Sequence, residues 1–590
     1  MSPRGSFEEF QGEAAALEKK YEWLGAADVY DRALGTVDEG DFFIGGKIRE
    51  KIGYCLQRAA FQAESRGEFS ERLRKAVEAY EEAHGLYERV ADERGAPWML
   101  RCIALSKYLR YWMTSDPSEK RRLLDQCLEL EENALNAFLD TGNKLEYGRT
   151  YNELQAVSWQ RADREWDTQI QRGILEKGVS WGERAVTALS ELGDSYEIAR
   201  AHCALACNLY PFAERFVAEP EKREQYRIKI IEQSRKAVAL SEDAGDAYTA
   251  GLSHISLGEA IGLEEAGLRH YEKAPECAEK TRDNFLIGYT LDHLAYGTYW
   301  KAHGTEDPDQ RIRLADEAME LYDSAHRRYS LVSFQVLGSG KIRAPPPGGY
   351  AEYYLDRAGW ETDPEKKMEF LKRSERAGLE ALKVSEESDI PISISRMSHI
   401  LSRTLAARAK LEPDVDLRRR LLEKALKYRE RNIEIYEKLA PFNYWNNMVF
   451  RHLLSQIKAE LALIQPDLDG KRRLLEEAAS GMEKGLNNIY KIPRVRERAD
   501  VLFEFASLSR YEDDYGVILT RLYEATNNPE HLRKAIETWR KAIESATMLD
   551  IVSRIAESYW KIAKAQAILG EHLEAAENFE RASESYEKAA

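Results

Sequence analysis

Apolar residues return every three or four positions along almost the whole chain. Ile551, Ile555, Tyr559, Ile562 and Leu569 follow one another in steps of 4, 4, 3 and 7, and Ile198, Ala201, Leu205 and Leu209 in steps of 3, 4 and 4. Each run places one apolar stripe on a helix of 3.6 residues per turn. The positions between are largely Glu, Lys, Arg and Ala, which favour helix. Runs of alternating β-branched residues, and Asn-Gly turns joining such runs, are scarce, so the pattern predicts an all-α fold.

The prolines mark where helices begin. Seven of the 17 share one context: Asp116-Pro117, Glu219-Pro220, Asp307-Pro308, Asp363-Pro364, Glu412-Pro413, Gln465-Pro466 and Asn528-Pro529. A further acid follows each within two residues: Glu119, Glu221, Asp309, Glu365, Asp414, Asp467 and Glu530. Asp or Asn caps the free amides, proline suits the first helical position, and the acid meets the positive end of the helix dipole. At Glu219, Glu412 and Gln465 the capping residue is weaker, and the proline with its acids carries the prediction.

These starts recur at a fixed interval. Arg121-Arg122-Leu123-Leu124 is echoed by Arg419-Arg420-Leu421-Leu422 and by Arg472-Arg473-Leu474-Leu475, the last two 53 residues apart. From a first copy near Glu68 to Pro529 is 461 residues, or nine steps of about 51, with degenerate copies near Trp166 and Glu265. Turns such as Glu191-Leu192-Gly193-Asp194 and Glu242-Asp243-Ala244-Gly245-Asp246 separate the units. Each unit then holds two antiparallel helices, about eleven hairpins in all, and neither helix of a pair can bury its stripe without neighbouring units.

Composition narrows the function. The chain has 590 residues, with 86 Lys and Arg against 102 Asp and Glu, a formal net charge of −16. That acidic balance argues against general nucleic-acid binding, which needs a basic footprint. Hydrophobic residues make up 43%, enough for a core. No stretch approaches 18 consecutive apolar residues, so no membrane insertion is expected. The N-terminus lacks an apolar leader core, and six cysteines give no disulfide framework, which together predict a cytoplasmic protein.

The last 35 residues resemble the tetratricopeptide repeat: Ala563, Leu569, Gly570, Ala575, Ala582, Tyr586 and Ala589 fall where that motif places its packing residues. Glu571 to Ala576 looks like its tight turn. Tyr21 to Leu24 and Tyr30 to Leu34 look similar near the N-terminus. The resemblance implies a right-handed superhelical α-solenoid with a concave binding groove. The middle looks like a long-helix variant, because its period of about 51 exceeds the motif's period of about 34. Val336 to Tyr350, with three prolines and four glycines, is expected to be a loop. It divides one continuous solenoid into N-terminal repeats over 1–335 and C-terminal repeats over 351–590.

Motifs for catalysis are incomplete. Gly338-Ser339-Gly340-Lys341 lacks the upstream Gly and the following Ser or Thr of a phosphate loop. Gly178-Val179-Ser180-Trp181-Gly182 matches a hydrolase nucleophile elbow in letters but sits within a helical run. Cys203 and Cys207, beside His202, stand one helical turn apart without the further ligands of a metal site. The expectation is a protein that is not an enzyme and that uses no cofactor and no metal.

Candidate recognition residues lie on helices of the first type in each hairpin. Phe442, Asn443, Tyr444, Trp445, Asn446 and Asn447 cluster aromatic and amide groups, which is recognition chemistry as much as core filling. His293 and Tyr296, with Trp300, form a second group. Arg494, Arg496 and Arg498 offer positive charge to an acidic partner. Tyr350, Tyr353, Tyr354 and Trp360 either anchor a ligand or pack down the neighbouring loop. Together these features predict a scaffold or adaptor binding a protein or peptide. A ligand-sensing array within a larger regulatory system is the alternative, with a small molecule as its ligand.

Overall fold

The computed structural model describes residues 7–90, 93–332, 346–441, 443–490 and 501–589. Among them lie 24 α-helices and no strand. The first six are α1 (Phe7–Glu18), α2 (Trp23–Leu34), α3 (Phe42–Ala60), α4 (Arg66–Glu88), α5 (Ala96–Met113) and α6 (Pro117–Asp140). Then come α7 (Lys144–Ala162), α8 (Thr168–Ser190), α9 (Ser195–Phe216), α10 (Pro220–Ala244), α11 (Ala247–Ile261) and α12 (Glu265–Thr281). The third group is α13 (Asn284–His303), α14 (Pro308–Val332), α15 (Pro346–Trp360), α16 (Pro364–Glu387), α17 (Pro391–Leu411) and α18 (Val415–Leu439). The last are α19 (Tyr444–Leu463), α20 (Leu468–Ile489), α21 (Val501–Thr526), α22 (Pro529–Thr547), α23 (Val552–Leu569) and α24 (His572–Ala589). The chain is an all-α helical-repeat solenoid.

The caps explain the helix starts. Asp116 accepts from the Glu119 amide at 2.9 Å, Asp307 from Asp309 at 2.8 Å, Asp363 from Glu365 at 2.8 Å and Asn528 from Glu530 at 3.1 Å. Two starts differ from the expectation. Pro413 and Pro466 precede the cap rather than open the helix. Asp414 caps α18 through Leu417 N at 2.7 Å, and Asp467 caps α20 through Gly470 N at 2.5 Å. An acid with a free carboxylate replaces the weak Glu412 and Gln465 in that role. The turns follow the expected glycines: Gly193 and Gly245 take φ of 73° and 71°, in the left-handed region that glycine enters without cost from a Cβ.

Residues 346–350 were expected in a loop, but Pro346, Pro347, Gly348, Gly349 and Tyr350 form the first turn of α15. Prolines are tolerated there because the first amides of a helix have no internal acceptor. The rest of that stretch, with Gly338–Lys341, lies outside the described residues, as do Phe442, Arg494, Arg496 and Arg498.

Within hairpins the two helices approach closely where a glycine on the first meets an aromatic ring on the second. A Cβ built on Gly46 would lie 2.7 Å from the ring of Tyr87, and one on Gly258 would lie 2.7 Å from that of Tyr271. Gly53 faces Tyr80 and Gly288 faces Tyr329 in the same way. The rings are buried, so the glycine sets how near the helix axes come.

Cα proximity divides the chain into two compact units. The first comprises Met1–Val217, Glu221–Trp360 and Arg376–Met397, and the second Ala218–Pro220, Glu361–Glu375 and Ser398–Ala590. In the first unit α7, α9, α11 and α13 lie side by side, forming a layer of first helices. That layer closes on itself. Asn284 Nδ2 donates to Ala63 O at 2.8 Å, and its amide to Phe61 O at 2.8 Å. Gln62 Nε2 donates to Thr281 O at 2.7 Å, Tyr21 Oη accepts from Ala247 N at 2.8 Å, and Trp112 meets Phe285 at 5.5 Å between ring centroids. Helices about 220 residues apart in sequence are therefore neighbours in space.

Candidate functional site

The first-helix layer of the first unit carries a strip of charge. Arg101 on α5 is 4% exposed and stands among four carboxylates. Its Nη1 lies 2.5 Å from Glu146, and its Nε lies 3.5 Å from Glu153 and 3.9 Å from Glu50. The fourth, Glu131 on α6, is 1% exposed. Burial first, and the neighbouring Glu153 second, push its carboxyl well above the usual range. The strip continues through Arg149, which pairs with Glu146 and Glu197, to Arg200 on α9. Arg200 meets the Tyr196 ring at 5.5 Å and lies in the field of Tyr54 on α3.

Farther along the same layer lie the two residues anticipated on α13. His293 is 1% exposed. Its Nδ1 meets Tyr289 O at 2.9 Å and its Nε2 meets Glu259 at 3.4 Å. Burial disfavours its charge, but Glu259 and Asp292 outweigh burial and raise its pKa. Both ring nitrogens are thus engaged within the chain. Tyr296 is half-buried, in the field of Arg396, Glu352, Glu259 and Glu214, which come from four other first helices. Arg396 Nη2 and Glu352 pair at 2.7 Å with about a quarter of each side chain open to solvent. Trp300 is exposed and packs on Tyr296 at 6.1 Å. Tyr296, Trp300, Glu352 and Arg396 are the accessible part of this region.

The tyrosines of α15 pack downward rather than outward. Tyr350 donates to Asp323, and Tyr353 donates to Asp316 at 2.5 Å, both on α14. Trp360 rests on His303 at 5.4 Å.

In the second unit α17, α18 and α19 bring another polar group together. Asn443 caps α19 by accepting from Asn446 N at 3.1 Å, and Asn446 Nδ2 donates to Tyr436 Oη at 2.7 Å. Asn447 is 6% exposed, and its Oδ1 has no donor among the described residues. The side chains of Tyr444 and Trp445 lie outside the described residues. Next to these amides sits a group that sequence reading missed. Arg429 is fully buried, with Nη1 2.7 Å from His399 Nδ1 and 2.9 Å from Asn432 Oδ1. Its signal is present in the sequence: Arg429 and Asn432 fall on the apolar stripe of Leu422, Ala425 and Tyr436, at core spacing.

The motifs with enzymatic letters are structural. Gly178 and Gly182 lie inside α8, where added Cβ atoms would press on Asn208, Ser158 and Gln155. They allow close packing rather than a strained turn. Cys207 shares a hydrogen bond with Ser256 at 3.3 Å, and His202 with Gln233 at 2.6 Å. Two open clefts, of about 420 and 350 Å³, are lined by Arg121, Arg122, Asp125 and Arg161, and by Tyr151, Ser180, Glu183 and Glu191. Glu50, Glu131 and His293 line neither of these two clefts.

The geometry defines a helical-repeat protein with polar and aromatic side chains on its first helices. No protein-family model and no curated protein matches the chain. Among solved structures, a signal-transduction ATPase (STAND) protein with a tetratricopeptide repeat sensor from Pyrococcus horikoshii is similar at 12% identity and TM-score 0.39, over 94% of this chain and 84% of that one. Aspartyl phosphate phosphatase F from Bacillus subtilis is similar at 13% identity and TM-score 0.30, over 74% and 93%. A monomeric IFIT1 mutant with m7Gppp-AAAA is similar at 16% identity and TM-score 0.26, over 93% and 96%.

Proposed function

We propose that this chain is a non-enzymatic repeat scaffold that binds a protein or peptide on the faces of its first helices. The observation that carries this reading is the accessible group Tyr296, Trp300, Glu352 and Arg396. An exposed Trp beside a half-buried Tyr and an ion pair that is about a quarter open to solvent offers aromatic anchoring and charge recognition together. The amide and aromatic segment from Asn443 to Asn447 is a second contact region in this proposal. His293 holds the α11–α13 packing behind the first.

The test is capture of partners by the tagged chain from its native cells, compared with Tyr296→Ala and Trp300→Ala. A stoichiometric protein recovered by the wild type and lost by both variants, at unchanged melting temperature, supports the reading. Equal recovery by the variants removes the site from it.

A ligand-sensing array is the second reading. The closure of the first-helix layer favours it, because it brings Tyr54 on α3 and Asp246, the cap of α11, near Arg200 and Tyr196 on α9 while leaving 41% of the Arg200 side chain accessible. A saturable rise in melting temperature with a metabolite, in a chain that captures no protein, selects this reading.

A further inference from the structure

The turn that leads from one hairpin into the next recurs with one residue in the left-handed backbone conformation, two positions before the following helix begins. Gly142, Gly193 and Gly245 hold that place after α6, α8 and α10, with φ of 68°, 73° and 71°. After α16 the residue is Asp389, with φ of 50°. A Cβ is disfavoured there, so glycine is the local choice. Arg282 and Asp550 stand at the same place after α12 and α22, and both are exposed. Asp389 is half-buried instead, because its side chain is engaged far from its own helix.

Its partners lie 223 and 268 positions earlier in the chain. Trp166 Nε1 donates to Asp389 Oδ1 at 3.0 Å, and Arg121 on α6 pairs with Oδ2. Arg164 Nη1 donates to the adjoining Ser388 carbonyl at 3.4 Å. All five residues belong to the first unit. A guanidinium and an indole N–H converging on one carboxylate are the donors that recognise an acid. Arg121, Trp166 and Asp389 stay partly open to water, unlike the buried Asn284 that reaches Ala63. An ion pair open to water contributes little net, and a side chain in the left-handed region opposes the turn that presents it. The docked and released forms of this turn therefore lie close in free energy.

Release uncovers a wall already in place. Arg121 lines the cleft of about 420 Å³ together with Ser118, Arg122, Gln126 and Arg161. Two acids that share the cleft, Asp125 and Glu165, pair with Arg161 at 2.5 and 2.9 Å, and Arg122 pairs with Glu119 at 2.6 Å. The acid that pairs with Arg121 is Asp389. When the turn lifts, Arg121 and Trp166 face solvent with the donors for one carboxylate set side by side.

We propose that Arg121 and Trp166 form a docking corner for an acidic peptide, and that Asp389 is the chain's own occupant of that corner, displaced when such a peptide binds. The corner shares no residue with the Tyr296 group, so it stands independently of binding on the first-helix faces.

Titration calorimetry of the full chain with synthetic hexa-aspartate, and with hexa-asparagine as the neutral control, tests this at physiological ionic strength. Asp389→Gly removes the carboxylate and suits the left-handed turn, so it leaves the fold in place. It is expected to bind hexa-aspartate about three- to tenfold more tightly than the wild type, because a site filled by its own chain loses apparent affinity in proportion to the fraction filled. Adding Arg121→Gln to Asp389→Gly should abolish that gain, and hexa-asparagine should bind neither form. One acid fewer among 102 barely alters the general field of the chain, so the gain reads the corner itself. In the wild type, saturating hexa-aspartate should speed hydrogen exchange over Arg376–Met397, the segment that carries the turn. No binding by Asp389→Gly, affinity equal to that of the wild type, or a gain that survives Arg121→Gln overturns the proposal. So does wild-type binding that leaves exchange over that segment unchanged, since the peptide would then sit elsewhere and Asp389 would be a structural tie.

Discussion

His254 and His270 stack across the α11–α12 hairpin with ring centroids 5.2 Å apart and Nδ1 atoms 3.0 Å apart. At that separation the two nitrogens share one hydrogen, which requires the accepting ring to be neutral and excludes protonation of both rings together. Burial is the first cause of the low pKa of each, and the facing ring adds to it for His270. Glu242 opposes this for His254, while Lys273 on α12 and Arg235 on α10 disfavour added positive charge, and Glu276 offsets Lys273. In the unfolded chain these histidines take up protons near pH 6.5, above their folded values, so stability is complete above that pH and falls as pH drops through it. Hydrogen-exchange protection factors of α11 and α12 should fall between pH 7.5 and pH 5. His270→Asn should show a smaller drop. Equal protection in the wild type at both pH values would remove the pair as an acid-sensitive element.

Glu512 behaves in the opposite sense. It is 2% exposed, accepts from Tyr490 Oη at 2.7 Å, and is pushed up to about 7, chiefly by burial. A carboxyl raised on folding contributes its full stability below its unfolded value, near 4.5, and loses it as pH rises through 7. Glu512→Gln keeps the acceptor for Tyr490 and removes the charge. At pH 8 it should stabilise the second unit by up to about 3 kcal/mol. At pH 5 it should change little. A thermal comparison at the two pH values reads the difference, and a gain equal at both would point to packing instead of ionisation.

The glycines on the first helices make a steric prediction with an internal control. Gly46→Ala sets a methyl 2.7 Å from the Tyr87 ring, which is 2% exposed, stacks on Trp98 and donates to Glu50 at 3.0 Å. The ring cannot move without loosening those contacts, so a loss of about 1–3 kcal/mol is expected. Gly173→Ala, in the open on α8, has nothing within 4 Å and should gain about 0.5–1 kcal/mol from helix propensity. Melting temperatures of the two variants should move in opposite directions. A matching gain in both would mean that the α3–α4 spacing is looser than the ring contacts indicate.

The fold was legible because its signals are local. A capping Asp, a proline and a following acid act within one turn, and their recurrence at about 51 residues needs no knowledge of tertiary contacts. The shifted starts at Asp414 and Asp467 show the same logic at finer grain: a better cap two residues on takes precedence over the proline. What stayed hidden is contact between distant helices. Nothing around Asn284 announces that its side chain binds the carbonyl of Ala63, 221 residues away. Periodicity identifies a buried face but not the helix that covers it.

The site was legible in part for the same reason. Spacing singled out His293 and Tyr296 as lying on one face of α13, yet could not show that Glu259 engages one of them while the other borders an accessible ion pair. Asn443 and Asn446 stood out as amides near aromatics, and both serve the chain as cap and hydrogen-bond donor. The stronger signal was a charge on an apolar stripe. Arg429 follows Leu422 and Ala425, and Glu131 follows Leu124 and Cys127 on α6, each at core spacing. A charged residue there must be answered from outside its own helix.

For Arg101 that answer comes from four carboxylates, and it can be tested by removing the cation. Arg101→Met preserves much of the side-chain volume but leaves Glu50, Glu146, Glu153 and Glu131 without their shared positive charge. Breaking a buried ion pair from one side costs about 3–5 kcal/mol. The loss should depend on pH. Without Arg101 the folded carboxyls bind protons more readily than those of the unfolded chain, so the variant regains stability as pH falls from 7 toward 5. The difference in melting temperature between wild type and variant should therefore be largest at neutral pH and narrow in acid. A deficit of constant size across that range would assign Arg101 a packing role over Trp98 and Phe138, whose rings lie 5.3 and 5.5 Å from its guanidinium, and not an electrostatic one.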